Sequence, residues 1–169
     1  MKTLLMTVIL LVSTSSFSAE NTSKSKNAMN ANQPTQLDDL IRGEMAAVKS
    51  YDTVLKKVKD PKELEKLKAI RQDHVTAVEK LKTYANKDVK EDTDSAGPWG
   101  TFAKAYTGGA KLFGDETALK ALKQGEEHGI NEYQEALEDE NIKPELKQTI
   151  RTQFLPKQKE HINTLKTFM

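Results

Sequence analysis

Residues 125–137 read GEEHGINEYQEAL, and residues 43–51 read GEMAAVKSY. Each stretch opens on Gly-Glu and reaches a tyrosine seven residues after the glutamate. Seven residues are close to two helical turns, so glutamate and tyrosine lie on one face. The rest of that face is apolar: Leu40 and Val48 flank Glu44, and Leu122 and Ile130 flank Glu126. A carboxylate on a buried stripe needs a partner, because charged side chains are seldom fully buried alone. Gly43, Glu44 and Tyr51 map onto Gly125, Glu126 and Tyr133 at one constant offset. The chain therefore reads as two copies of one helical hairpin.

Working outward, Leu37, Leu40/Ile41, Ala47/Val48, Tyr51, Val54/Leu55 and Val58 recur at helical spacing. They predict a first helix capped by Thr35 and stopped at Asp60-Pro61, since proline disfavours helical geometry in the residue before it. Asp60 then caps a second helix, with Pro61 at its first position and a stripe running from Leu64 through His74 to Tyr84. So short a turn makes the two helices antiparallel. Asp115 is expected to cap a third helix that ends near Asn141, and a fourth opens at Pro144. The fourth carries Leu146, Ile150, Phe154, His161/Ile162 and Leu165, and Pro156 should kink or break it near Phe154-Leu155. His74 and His161 occupy the stripes of the second and fourth helices. The proline-to-histidine interval is four residues longer in the second copy, about one turn, so the histidine keeps its face.

Between the hairpins, KDVKEDTDSAG (87–97) is polar, and PWGTFAKAYTGGAKLFG (98–114) spaces Trp99, Phe102, Tyr106 and Phe113 as a short helix would. This linker is long for adjacent antiparallel helices. It is expected to cross the bundle lengthwise, its aromatics packed on the core, leaving helices two and three parallel. The expected fold is all-α: a four-helix bundle of two hairpins over residues 35–169, with a long crossover carrying a short extra helix.

The start of the chain has the three parts of a secretory signal: basic Met1-Lys2, the apolar run Leu4–Val12, and small residues to Ala19. Ser16 and Ser18 place cleavage after residue 18 and predict a periplasmic or secreted protein, with no stable membrane insertion after cleavage. Residues 19–34 are too polar to offset the cost of ordering and read as a disordered leader.

Composition narrows function. Lys+Arg total 26 against 25 Asp+Glu, too even for a nucleic-acid binder. With no cysteine there are no disulfides, thiolate metal sites or cysteine nucleophiles. No Gly-x-Ser-x-Gly elbow or phosphate-binding glycine loop is present. His128 lies about 200° round the helix from Glu126 and reads as a solvated residue, able at most to form a surface pair with Glu132.

One glutamate and one histidine per hairpin, all on buried stripes, resemble the ferritin-like di-iron plan of a Glu on one helix and Glu-x-x-His on the next, given twice. The match fails at Arg71-Gln72-Asp73-His74 and Gln158-Lys159-Glu160-His161, where Arg71 and Gln158 replace the bridging carboxylates. Two ions about 4 Å apart need negative charge between them, so a di-iron pair is not expected to assemble. Residues 37–168 also resemble a bacterial ferritin-like four-helix-bundle family catalogued as a domain of unknown function, DUF2383. That likeness rests on Lys59-Asp60-Pro61, the Ser95-to-Phe113 crossover, Gly125-Glu126-Glu127, Tyr133-Gln134-Glu135-Ala136-Leu137, Pro144-Glu145-Leu146 and His161. It implies the bundle and no established activity.

The residues expected to converge are Glu44, Tyr51, Arg71, His74, Glu126, Tyr133, Gln158 and His161. Arg71 is expected to neutralise Glu44 and Glu126 within a structural network. That gives a non-catalytic structural or stress-related interaction protein with no required cofactor. The alternative is a single zinc or iron ion on Glu44, His74, Glu126 and His161; an oxidase ranks third. The sequence names no partner, and a homo-oligomer is compatible with it.

Overall fold

The computed structural model describes residues 35–85 and 115–169. The expected signal (1–18), leader (19–34) and crossover with its Trp99 stripe fall outside these residues. All regular structure among the described residues is helical.

Helix α1 (Gln36–Leu55) begins with a reciprocal cap: the Thr35 hydroxyl accepts from the Asp38 N–H, and the Asp38 carboxylate accepts from the Thr35 N–H. It ends at Leu55, so Val58 packs on the core from the connecting turn. Helix α2 (Pro61–Lys82) starts as its sequence dictates, with the Asp60 carboxylate accepting from the Lys62 and Glu63 N–H groups. Helix α3 spans Asp115–Glu138. The fourth rod is interrupted as Pro156 requires: α4 (Pro144–Thr149), a π-helical turn (Ile150–Phe154) and α5 (Leu155–Lys166). Proline cannot donate to the carbonyl four residues back, and its ring clashes there. The wider π turn absorbs that conflict without stopping the helix.

Two apolar clusters show how the helices run. One gathers Tyr51, Val54, Leu67, Ile70, Leu119 and Leu165; the other gathers Leu40, Ile41, Leu81, Tyr133, Ala136 and Leu146. Helix α1 passes from the second cluster to the first, α2 and α3 from the first to the second, and the fourth rod back again. Helices α2 and α3 therefore point the same way, each antiparallel to α1. Between the clusters lies a layer of buried polar side chains: Glu44, His74, Glu126, Gln158 and His161, each no more than 5 % exposed.

Candidate metal centre

Each rod contributes to this layer from the middle of its length, where the helices are held on both sides by apolar packing. Helix α1 supplies Glu44 and Tyr51, α2 supplies Asp73 and His74, α3 supplies Glu126 and Tyr133, and α5 supplies Gln158 and His161. The paired Glu-to-Tyr spacing becomes a crossed exchange. The Tyr51 hydroxyl donates to Glu126 Oε1 at 2.6 Å, and the Tyr133 hydroxyl donates to Glu44 Oε1 at 2.7 Å. Because α1 and α3 are antiparallel, the tyrosine of each repeat reaches the glutamate of the other.

The histidines stand between these carboxylates. His74 places Nδ1 2.7 Å from Glu44 Oε2 and Nε2 3.0 Å from Glu126 Oε1. His161 places Nδ1 3.2 Å from Glu126 Oε2 and Nε2 3.1 Å from Asp73 Oδ2. The two rings lie 5.1 Å apart. Gln158 Nε2 donates to Glu44 Oε1 at 3.2 Å, and this fixes the amide's orientation. Its Oε1 is buried and accepts no hydrogen bond. Gly129 makes room for the amide, since a Cβ there would lie 3.2 Å from both Gln158 Nε2 and Oε1.

With both ring nitrogens of His74 facing carboxylates, the imidazolium satisfies the geometry: it donates twice, whereas a neutral ring would turn a lone pair on an oxygen. Burial opposes the His74 charge, but Glu126 and Glu44 outweigh it and push the pKa up to about 10. Glu126 shows the converse. Its burial favours the neutral acid, yet His74 and His161 hold its pKa down to about 2. The phenols of Tyr51 and Tyr133 are raised well above their ordinary value, first by burial and then by the facing carboxylates, so both remain donors.

Seven of the eight expected residues meet here: Glu44, Tyr51, His74, Glu126, Tyr133, Gln158 and His161. Arg71 does not. Its guanidinium pairs with Asp52, with Nε 2.5 Å and Nη2 3.1 Å from the two carboxylate oxygens, and the two side chains are 32 % and 44 % exposed. A residue three before His74 is displaced about 60° round the helix. On α2 that rotation turns Arg71 away from the layer toward Asp52 at the flank of α1. The counter-charge to Glu44 and Glu126 is the His74 ring instead. Asp73, which the stripe pattern passes over, anchors His161 and also lies 3.2 Å from Lys157 Nζ. Its signal was available only as the residue beside a stripe histidine. His128 and Glu132 form the pair that their spacing allows, at 3.2 Å, but they are half-buried rather than solvated, and burial pushes the Glu132 pKa up to about 8.

Among the described residues one compact donor set emerges: ligand atoms of His74, Glu126 and His161 all lie within 4.8 Å of one another, and all three residues are buried. Glu44 is not in that set; it holds the far side of the His74 ring, as Asp73 holds that of His161. The molecule is thus a helical bundle with a mid-length layer of paired carboxylates and imidazoles. Residues 32–139 match the family described as Domain of unknown function (DUF2383), and the chain belongs to that family. The match includes Glu44, His74 and Glu126 and ends before Gln158 and His161. No curated protein and no solved structure matches the chain.

Proposed function

We propose that this chain is a ferritin-like bundle whose degenerate di-iron position binds one divalent transition-metal ion, of the zinc or ferrous class, through His74, Glu126 and His161. The observation that carries the reading is the meeting of His74 Nε2 and His161 Nδ1 on the two oxygens of one buried carboxylate. Two imidazoles and a carboxylate suit these metals. Each ring is backed by a second carboxylate, Glu44 or Asp73, the arrangement that orients metal-bound histidine. Charge supports one ion rather than two. A single divalent ion that replaces the His74 proton balances Glu44 and Glu126, whereas two ions bring four positive charges to the same two carboxylates. Gln158, where a bridging carboxylate would be, adds no charge.

On this reading the role is binding rather than catalysis, and the basic start with its short apolar run supports a periplasmic or secreted location. Elemental analysis of protein purified without chelators should find about one equivalent of metal, and His161→Ala should lose it. Absence of metal, with no cobalt(II) spectrum on titration, overturns the proposal.

The second reading is the structural or interaction protein without metal. The His74 geometry favours it, because an imidazolium between Glu44 and Glu126 already satisfies both. Metal content separates the two.

A further inference from the structure

A cavity of about 390 Å³ opens between α2 and the π turn and reaches the outer side of the polar layer. It is at the small end of pockets that take organic molecules. Glu44, Gln158 and Tyr133 form its buried end, Phe154, Pro156 and Ala77 give it carbon walls, and Asp73, Lys157 and Glu160 stand at its mouth. Glu126, on which the two histidines meet, does not line it.

The hydrogen-bonding census of this lining is one-sided. Apart from the exposed Gln153, its donors are committed, including the His74 ring on Glu44 and the His161 ring beside Asp73. The Tyr133 hydroxyl and the Gln158 amide both donate to Glu44. Lys157 lies 3.2 Å from both Asp73 and Glu160. The hydroxyls of Thr76 and Thr152 donate to carbonyls of their own helices. Acceptors remain: Gln158 Oε1 has no partner, and at the mouth Asp73 and Glu160 share Lys157, with the His161 ring also on Asp73. An anion entering here faces the carboxylates of Glu44, Asp73 and Glu160. A ligand that supplies donors and positive charge finds acceptors at both ends and apolar carbon between them in the lining.

We propose that this cavity binds a short aliphatic diamine, with one ammonium at the Glu44–Gln158 end, the other at the Asp73–Glu160 mouth, and its methylenes against Phe154, Pro156 and Ala77. The site does not rest on the metal reading, since it uses neither Glu126 nor the inner ring nitrogens.

Titration calorimetry on the chelator-treated full chain tests it with 1,4-diaminobutane, butane-1,4-diol and succinate. The diamine should bind one-to-one and saturably, with the diol and succinate at least about tenfold weaker. Glu160→Gln removes an exposed charge that touches only Lys157, and should weaken the diamine about two- to fivefold. Thr76→Trp fills the mouth from an exposed helix position and should abolish binding while circular dichroism stays helical. No saturable diamine heat, equal binding of the diol or succinate, or unchanged affinity in both variants would overturn the proposal. Because chelator is present, a failure here leaves the metal reading untouched, and a failure of metal binding leaves this one untouched.

Discussion

Replacing His74 with glutamine removes the one ring that satisfies Glu44 and Glu126 together. The two contacts are 2.7 and 3.0 Å, and the ring is 1 % exposed, so no water replaces it. Glutamine has similar bulk and keeps some hydrogen bonding, but it cannot carry the charge. Breaking a buried pair by removing one partner typically costs ~3–5 kcal/mol. The same magnitude follows from linkage: a histidine pKa raised from 6.5 to about 10 corresponds to ~5 kcal/mol. His74 is raised, so its stabilisation is complete below the unfolded value of 6.5 and is lost as pH climbs through about 10. The assay is urea unfolding in chelator at pH values of about 6 and 9. The parent should lose ~3 kcal/mol between them through this group, while His74→Gln starts ~3–5 kcal/mol lower and shows little of that slope. A variant within about 1 kcal/mol of the parent at the lower pH, or one with the parent's slope, would refute the imidazolium as the counter-charge.

Further outcomes are expected. Glu126 is depressed to about 2, so its contribution is present above the unfolded carboxylate range and disappears as pH falls toward that value; Glu126→Gln should blunt acid unfolding followed by circular dichroism. Arg71→Ala should change stability by no more than about 1 kcal/mol in chemical denaturation, because its partner Asp52 is 44 % exposed. Tyr51→Phe strips a buried donor from Glu126 and should cost ~1–3 kcal/mol in the same assay. On the metal-binding proposal, Asp73→Asn should keep the fold and lower zinc affinity about 10- to 100-fold, read by competition with a chromophoric chelator. Gly43→Ala should be neutral or stabilising by up to ~1 kcal/mol in thermal melts, since helix propensity improves and the crowding atom is the movable end of Glu132.

The fold was largely legible because each helix announces itself locally. Thr35 and Asp60 cap where expected, and the α2 stripe holds that helix's buried residues, whereas the buried face of α1 is rotated from its stripe to take in Asp38, Gly43, Ala46 and Ser50 and leave Val48 half-buried. Pro156 marked a disturbance but not its form. Whether a proline breaks, kinks or widens a helix depends on what holds the chain on either side, and here Ile150 and Phe154 are fixed in a packed core cluster. The site was legible as far as periodicity reaches. Glu44, His74, Glu126 and His161 could be placed on inner faces, because each breaks an otherwise apolar stripe.

The sequence by itself determined that two glutamates, two tyrosines and two histidines would be buried in a duplicated helical hairpin, since a helical repeat fixes which residues share a face. Tertiary structure decided who partners whom. The antiparallel course of α1 and α3 crosses the tyrosines between repeats and sends Tyr51 to Glu126. The rotation of α2 about its axis hands Arg71 to Asp52 and brings Asp73 to His161. Azimuths 60° apart look equivalent along a stripe, but between packed helices they separate a buried position from a solvated one.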